Sequence, residues 1–149
     1  MVTNPAPDDS LYGDLSWIKP TLSTARFYAT GFTNMLDLEG SLYQPPGTNK
    51  VLQIGLGTIT FDGGNLTQHF TNVATLSMNN KVINLTTRQP LVLNLNLPTG
   101  LFSGSVTVMD GALAKKLMFK GALLQHQNFG AGYFPGLDET GAVEFEPAP

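Results

Sequence analysis

The chain has no cysteine, which removes disulfides, thiolate nucleophiles and thiolate metal ligands together. Charge is also sparse. Asp, Glu, Lys and Arg make up 13% of the 149 residues, against roughly a quarter in an average soluble domain. The eight Lys and Arg residues are scattered and the formal net charge is −3. A phosphate backbone needs clustered cations, so nucleic acid is not expected as a partner. No run approaches the ~20 apolar residues of a spanning helix, so no membrane span is expected. The start, Met1-Val2-Thr3-Asn4-Pro5, lacks the basic residues and apolar stretch of a signal peptide. Helical periodicity is almost absent as well.

What the chain does have is alternation. In Leu91-Val92-Leu93-Asn94-Leu95-Asn96-Leu97 the four leucines share one face, with Asn94 and Asn96 on the other. That is a strand with one dry and one wet side. The same grammar predicts strands near 11–18, 36–43, 51–60, 67–77, 80–86, 102–108, 116–125, 130–134 and 142–146. The turns between them carry Asp62-Gly63-Gly64-Asn65, Met78-Asn79-Asn80, Pro98-Thr99-Gly100 and Pro135-Gly136, residues that accept tight backbone geometry. Glu144 and Glu146 share one face of the last strand and Val143 and Phe145 the other, which predicts an outer strand kept soluble by its acids. Residues 21–33 show no alternation and read as a loop or one helical turn. The fold expected is all-β, an antiparallel β-barrel or curled β-sandwich of about 8–10 strands. Hydrophobic residues at 42% suffice for one core, so residues 1–149 read as a single domain with 1–10 as a flexible lead-in.

An internal echo runs through the strands. Leu11-Tyr12-Gly13-Asp14-Leu15-Ser16-Trp17, Leu38-Glu39-Gly40-Ser41-Leu42 and Phe102-Ser103-Gly104-Ser105-Val106 share the pattern apolar-x-Gly-(Asp/Ser)-apolar. Glycine inside a strand lets the backbone bend or a neighbour approach closely. In the first copy Leu11, Leu15 and Trp17 have one parity and are expected to face inward together.

These segments resemble an uncharacterised glycine-patterned all-β module found near the C-termini of large secreted bacterial surface proteins. The likeness rests on Gly13-Asp14-Leu15-Ser16-Trp17-Ile18-Lys19-Pro20, Gly40-Ser41-Leu42-Tyr43-Gln44-Pro45-Pro46, Thr99 to Ser105, Phe119 to Gln125 and Gly130 to Phe134. It implies all-β character and a secreted or cell-surface location. It brings no catalytic residues and no cofactor.

Sites that could carry chemistry are few. His69 and His126 are the two histidines, each among amides. With a carboxylate they would form a metal site or an acid–base pair if the fold joined them, but read alone each is a solvent-facing side chain. Ser105 lacks the second glycine and the following helix of a nucleophile elbow. The acidic turns at Asp62 and Asp138-Glu139 lack the dense ligand spacing of a calcium loop. No catalytic residue and no cofactor is assigned.

The aromatics are more informative. Tyr12, Trp17, Tyr28, Tyr43 and Tyr133 are the candidate ligand-binding residues, because a sugar's axial C–H groups pack on an aromatic face while Asn and Gln bind its hydroxyls. Tyr12, Tyr28 and Tyr43 are expected to be exposed. The leading functional reading is a non-catalytic accessory or binding module of an extracellular protein, contacting a glycan or neighbouring domains of a larger chain. The alternatives are an enzyme or metal site built on His69, His126 and a carboxylate, and a structural spacer or assembly domain.

Overall fold

The computed structural model describes residues 10–110 and 113–149. It contains ten strands and, among the described residues, no helix: β1 (Ser10–Lys19), β2 (Phe32–Ser41), β3 (Leu56–Gly63), β4 (Phe70–Leu76), β5 (Val82–Asn84), β6 (Leu91–Asn96), β7 (Leu101–Asp110), β8 (Leu113–Leu124), β9 (Phe129–Pro135) and β10 (Thr140–Pro147). The first two pair only with each other, as an antiparallel ribbon. The other eight form one antiparallel sheet in the order β5-β4-β3-β10-β9-β8-β7-β6. The expected lead-in lies outside the described residues up to position 9, and Ser10 already belongs to β1.

Curling of the sheet brings its two ends, β5 and β6, side by side, so the architecture is a nearly closed barrel rather than a sandwich. Side-chain amides close the seam where the backbone ladder stops. Asn72, fully buried on β4, donates through Nδ2 to Asn84 Oδ1 at 3.1 Å and to the Gln89 carbonyl at 2.7 Å. Thr107 N–H on β7 then donates to the Pro90 carbonyl at 2.9 Å. A buried polar side chain is stable here because its donors find partners.

Alternation fills the barrel. Ile59 and Phe61 of β3, Phe102, Val106 and Val108 of β7, Leu117 and Phe119 of β8, Phe134 of β9, and Val143 and Phe145 of β10 all point inward. Phe61 stacks on Phe70 at 4.8 Å and meets Phe119 edge-on at 5.1 Å. Burying one such ring contributes roughly 2–3 kcal/mol.

Two expectations are corrected. β10 is not an outer strand; it lies between β3 and β9. Its glutamates are exposed because the outside of a barrel is wet even at the middle of the sheet. Residues 51–55 are not strand either. Val51, Leu52 and Ile54 are buried, but they leave the sheet and plug one end of the barrel, and β3 begins only at Leu56. Asn80 Oδ1 accepts from Val51 N–H at 2.7 Å, and Asn128 Oδ1 from Gln53 N–H at 2.7 Å.

Tyr43, expected to be exposed, is half-buried at this same end. Its ring occupies the space where a Gly100 side chain would stand, and its hydroxyl donates to the Leu97 carbonyl. Burial raises its pKa above 10.0, opposed by the Gly100 backbone. The folded state thus holds this proton more tightly than the unfolded chain. That contribution to stability is complete below pH 10.0 and is lost as pH rises through the folded value. Tyr43→Phe is expected to flatten the alkaline fall in a pH series of thermal unfolding. At neutral pH it should cost about 1 kcal/mol for the missing hydrogen bond. An alkaline arm as steep as in the parent would rule Tyr43 out as its source.

Candidate functional site

Strand direction separates the two histidines. His69 lies in the β3–β4 loop and His126 in the β8–β9 turn, and in an up-and-down barrel these connections fall at opposite ends, a strand length or roughly 20 Å apart. His126 Nδ1 is 2.7 Å from Ser10 Oγ. Among the described residues no three of His, Cys, Asp and Glu come together in a way that could hold a metal ion. The acidic turns are structural. Asp62 Oδ1 accepts from Gly63 N–H at 2.9 Å, Asp138 Oδ1 from Asn65 Nδ2 at 2.7 Å and Glu139 Oε1 from Asn65 N–H at 3.1 Å. Ser105 sits within β7, paired with Val92 and Met118, in an unbroken ladder rather than an elbow.

The five aromatics are not gathered into one platform. Tyr43 closes a barrel end. Tyr28, expected to be exposed, is a tether with positive φ in the loop between β1 and β2. Its N–H donates to the Asp138 carbonyl and its hydroxyl accepts from Thr140 N–H, each at 2.8 Å. Tyr12 and Trp17 stand on opposite faces of the ribbon, since their positions differ by an odd number. Trp17, expected to face inward with Leu11 and Leu15, is 55% exposed and meets Phe32 edge-on at 5.4 Å.

Tyr133 is placed differently. It projects from the outer wall of the barrel at the end of a rank set by strand register: Asn94 on β6 faces Ser103, Ser103 faces Lys120, and Lys120 faces Tyr133. The neighbouring rank is Asn96, Leu101, Ala122 and Ala131. Ala122 and Ala131 leave a low apolar floor between the polar rank and the leucine. The result is a shallow groove of about 680 Å³. Tyr133 is 43% exposed, with Lys120 Nζ 5.3 Å from its ring centroid. With strands ~4.8 Å apart, each four-residue rank spans roughly 14 Å.

Such a groove offers an aromatic face, two side-chain amides, a hydroxyl and one ammonium over an apolar floor. Ser103 and Lys120 are direct cross-strand neighbours in it. The sequence singled out Tyr133 but missed Lys120, Asn94 and Asn96 as its company. Their shared parity on adjacent strands was visible; the register that aligns them was not.

No family model, curated protein or solved structure matches the chain.

Proposed function

We propose that this chain is a non-catalytic binding module of a secreted or cell-surface protein, and that it holds a glycan in the outer groove beside Tyr133. The observation that carries the reading is the rank Asn94–Ser103–Lys120–Tyr133 over the Ala122–Ala131 floor. A pyranose ring packs its C–H face on the tyrosine while the amides and ammonium take its hydroxyls or a uronate carboxylate. The low charge, the amide-rich surface and the resemblance to modules of bacterial surface proteins support the same reading.

The test is a screen of the purified protein against neutral and uronate-containing polysaccharides by thermal shift, followed by titration calorimetry on whichever binds. A ligand that prefers the folded state raises the melting temperature by mass action. Tyr133→Ala is expected to weaken binding at least tenfold, about 1.4 kcal/mol. It should leave the melting temperature of the free protein nearly unchanged, because the ring lies outside the core. Retention of full affinity by Tyr133→Ala, or no shift with any saccharide, would refute the reading.

A further inference from the structure

One inward position of the barrel wall breaks the apolar rule. On β8, Leu117 and Phe119 point inward, and Lys115 shares their parity. It pairs across to Val108 of β7, which is buried. The alternation that builds the core thus carries an ammonium onto the inner face. Strand direction puts it at the end opposite the plug of Val51, Leu52 and Ile54. A local rule is broken most often where a site needs it broken.

A second cation meets it there. Arg88 lies in the connection between β5 and β6, and both side chains line one cavity of about 350 Å³. Leu66, Phe70, Val108 and Leu117 form its apolar side. His69 lies where this cavity meets an outer hollow bordered by Asp62 and Glu144. Asp138 and Glu139 bond Asn65, which lines the cavity, but do not line it themselves. Among the described residues no acid does. The chain holds eleven acids to eight lysines and arginines, so a lining drawn at random would favour acids. The fold has gathered cations that the sequence scatters.

Neither cation is spent on holding the fold. Lys19 and Lys50 donate to backbone carbonyls, and Arg26 and Lys120 stand over aromatic rings. Arg88 and Lys115 are exposed and make no such contact with the described residues. Two like charges beside one apolar surface repel each other and gain nothing within the chain. The loop that carries Arg88 is nevertheless fixed on both sides. Thr86 Oγ1 accepts from Val73 N–H at 2.8 Å, and the Gln89 carbonyl from Asn72 Nδ2 at 2.7 Å. The Pro90 carbonyl accepts from Thr107 N–H at 2.9 Å. A charge mounted on a tied backbone is preorganised for a partner.

We infer that this cavity binds a small aryl- or alkylcarboxylate, its carboxylate between Arg88 and Lys115 and its apolar body on Phe70, Val108 and Leu117. The guanidinium fork matches the two carboxylate oxygens, and the ammonium adds a third donor. A bare inorganic anion would satisfy the cations but leave the apolar side facing water. An apolar molecule without charge would leave both cations unpaired. The volume lies at the small end of ligand pockets, roughly 300–1,000 Å³, so the ligand is a small molecule. This site shares no residue with the groove beside Tyr133, and the two readings stand or fall separately.

Titration calorimetry of the full chain with phenylbutyrate is expected to show saturable binding. Phenylbutanol, the same body without the charge, should bind about tenfold more weakly or worse, and so should sulfate, the charge without the body. Arg88→Gln and Lys115→Leu should each lower the affinity for phenylbutyrate about tenfold or more, since each removes a charged donor. Lys116→Gln should leave it unchanged, because Lys116 pairs with Thr107 on the outer face of the same strands. The free Lys115→Leu protein should melt no lower than the parent, since its lysine serves a ligand and not the core. A lower melting temperature would make Lys115 part of the fold and overturn the inference. Absence of saturable phenylbutyrate binding would do the same. Phenylbutanol binding as tightly would show the cations idle, and sulfate binding as tightly would show a site for inorganic anions; either result ends the proposal. Full affinity in both Arg88→Gln and Lys115→Leu would place the binding elsewhere and equally end it.

Discussion

Gly121→Ala is expected to destabilise the barrel by about 3 kcal/mol or more. Gly121 faces inward on β8, and a Cβ there would lie 2.2 Å from the Ala131 carbonyl oxygen, 2.3 Å from the Phe102 ring and 2.6 Å from the Gly132 Cα. Two of those three neighbours are backbone, so no rotamer change relieves the clash, and β8 and β9 must separate or Phe102 must leave its site. Either response disrupts the Phe102–Phe119 contact at 6.4 Å and the wall beneath Tyr133. Against a typical total of 5–15 kcal/mol this is a large fraction. In a chain of this length it corresponds to a fall in Tm of about 6–12 °C. Gly55→Ala is the control: its added Cβ meets nothing within 4 Å, and Gly55 is not among the glycines with positive φ. Its Tm should stay the same or rise slightly, as the unfolded chain loses freedom. If the two variants melt together, the close packing at Gly121 is not what holds the barrel wall.

Asn80→Ala should cost about 2–4 kcal/mol through a different mechanism. Asn80 adopts φ of 60°, a left-handed conformation that Asn tolerates and Ala resists. Its buried side chain accepts from Val51 N–H at 2.7 Å and donates to the Asn49 carbonyl at 2.9 Å. Those two bonds hold the segment that carries Val51, Leu52 and Ile54 into the barrel end. Removing them leaves the Val51 N–H unpaired in an apolar setting and loosens the plug. Hydrogen exchange should show the amides of residues 49–54 losing protection before those of β8 and β9. Asn80→Gly separates the two causes, since it restores the backbone freedom but not the bonds. A variant with Gly as stable as the parent would assign the whole effect to φ and none to the side chain.

Both predictions concern positions whose residue type was legible and whose partners were not. Met78-Asn79-Asn80 reads as a turn because Asn accepts positive φ, and a turn is there. That its amide reaches back 29 positions to Val51 depends on where the plug segment lies, which no local pattern encodes. The run Val51 to Ile54 shows the same limit from the other side. A short apolar stretch is compatible with a buried strand or with a plug, and only the position of the barrel end decides between them. β10 reads as a strand with wet and dry faces, and it is one. Its place in the middle of the sheet does not follow from the pattern, because glutamates on one face mean solvent, and solvent covers the whole outside of a barrel.

The candidate site divides in the same way. Tyr133 and the Asn94–Asn96 pair each announce an outward-facing position by parity. Their alignment into one groove follows from the β6-β7-β8-β9 register, which is set by turns of different lengths acting together. Tyr28 and Tyr43 carry the same residue type as Tyr12, yet the first ties the ribbon to the barrel and the second covers its end.

The sequence by itself determined that this protein is all-β and antiparallel, where most of its strands run and which side chains share a face, because a period of two is a local property of an extended backbone. The tertiary structure decided what lies over each face. The apolar stripe of β7, Phe102, Val106 and Val108, is covered by the barrel, and that of β1, Leu11, Leu15 and Trp17, stands open. The two stripes follow one pattern, and burial depends on strands brought together from distant parts of the chain.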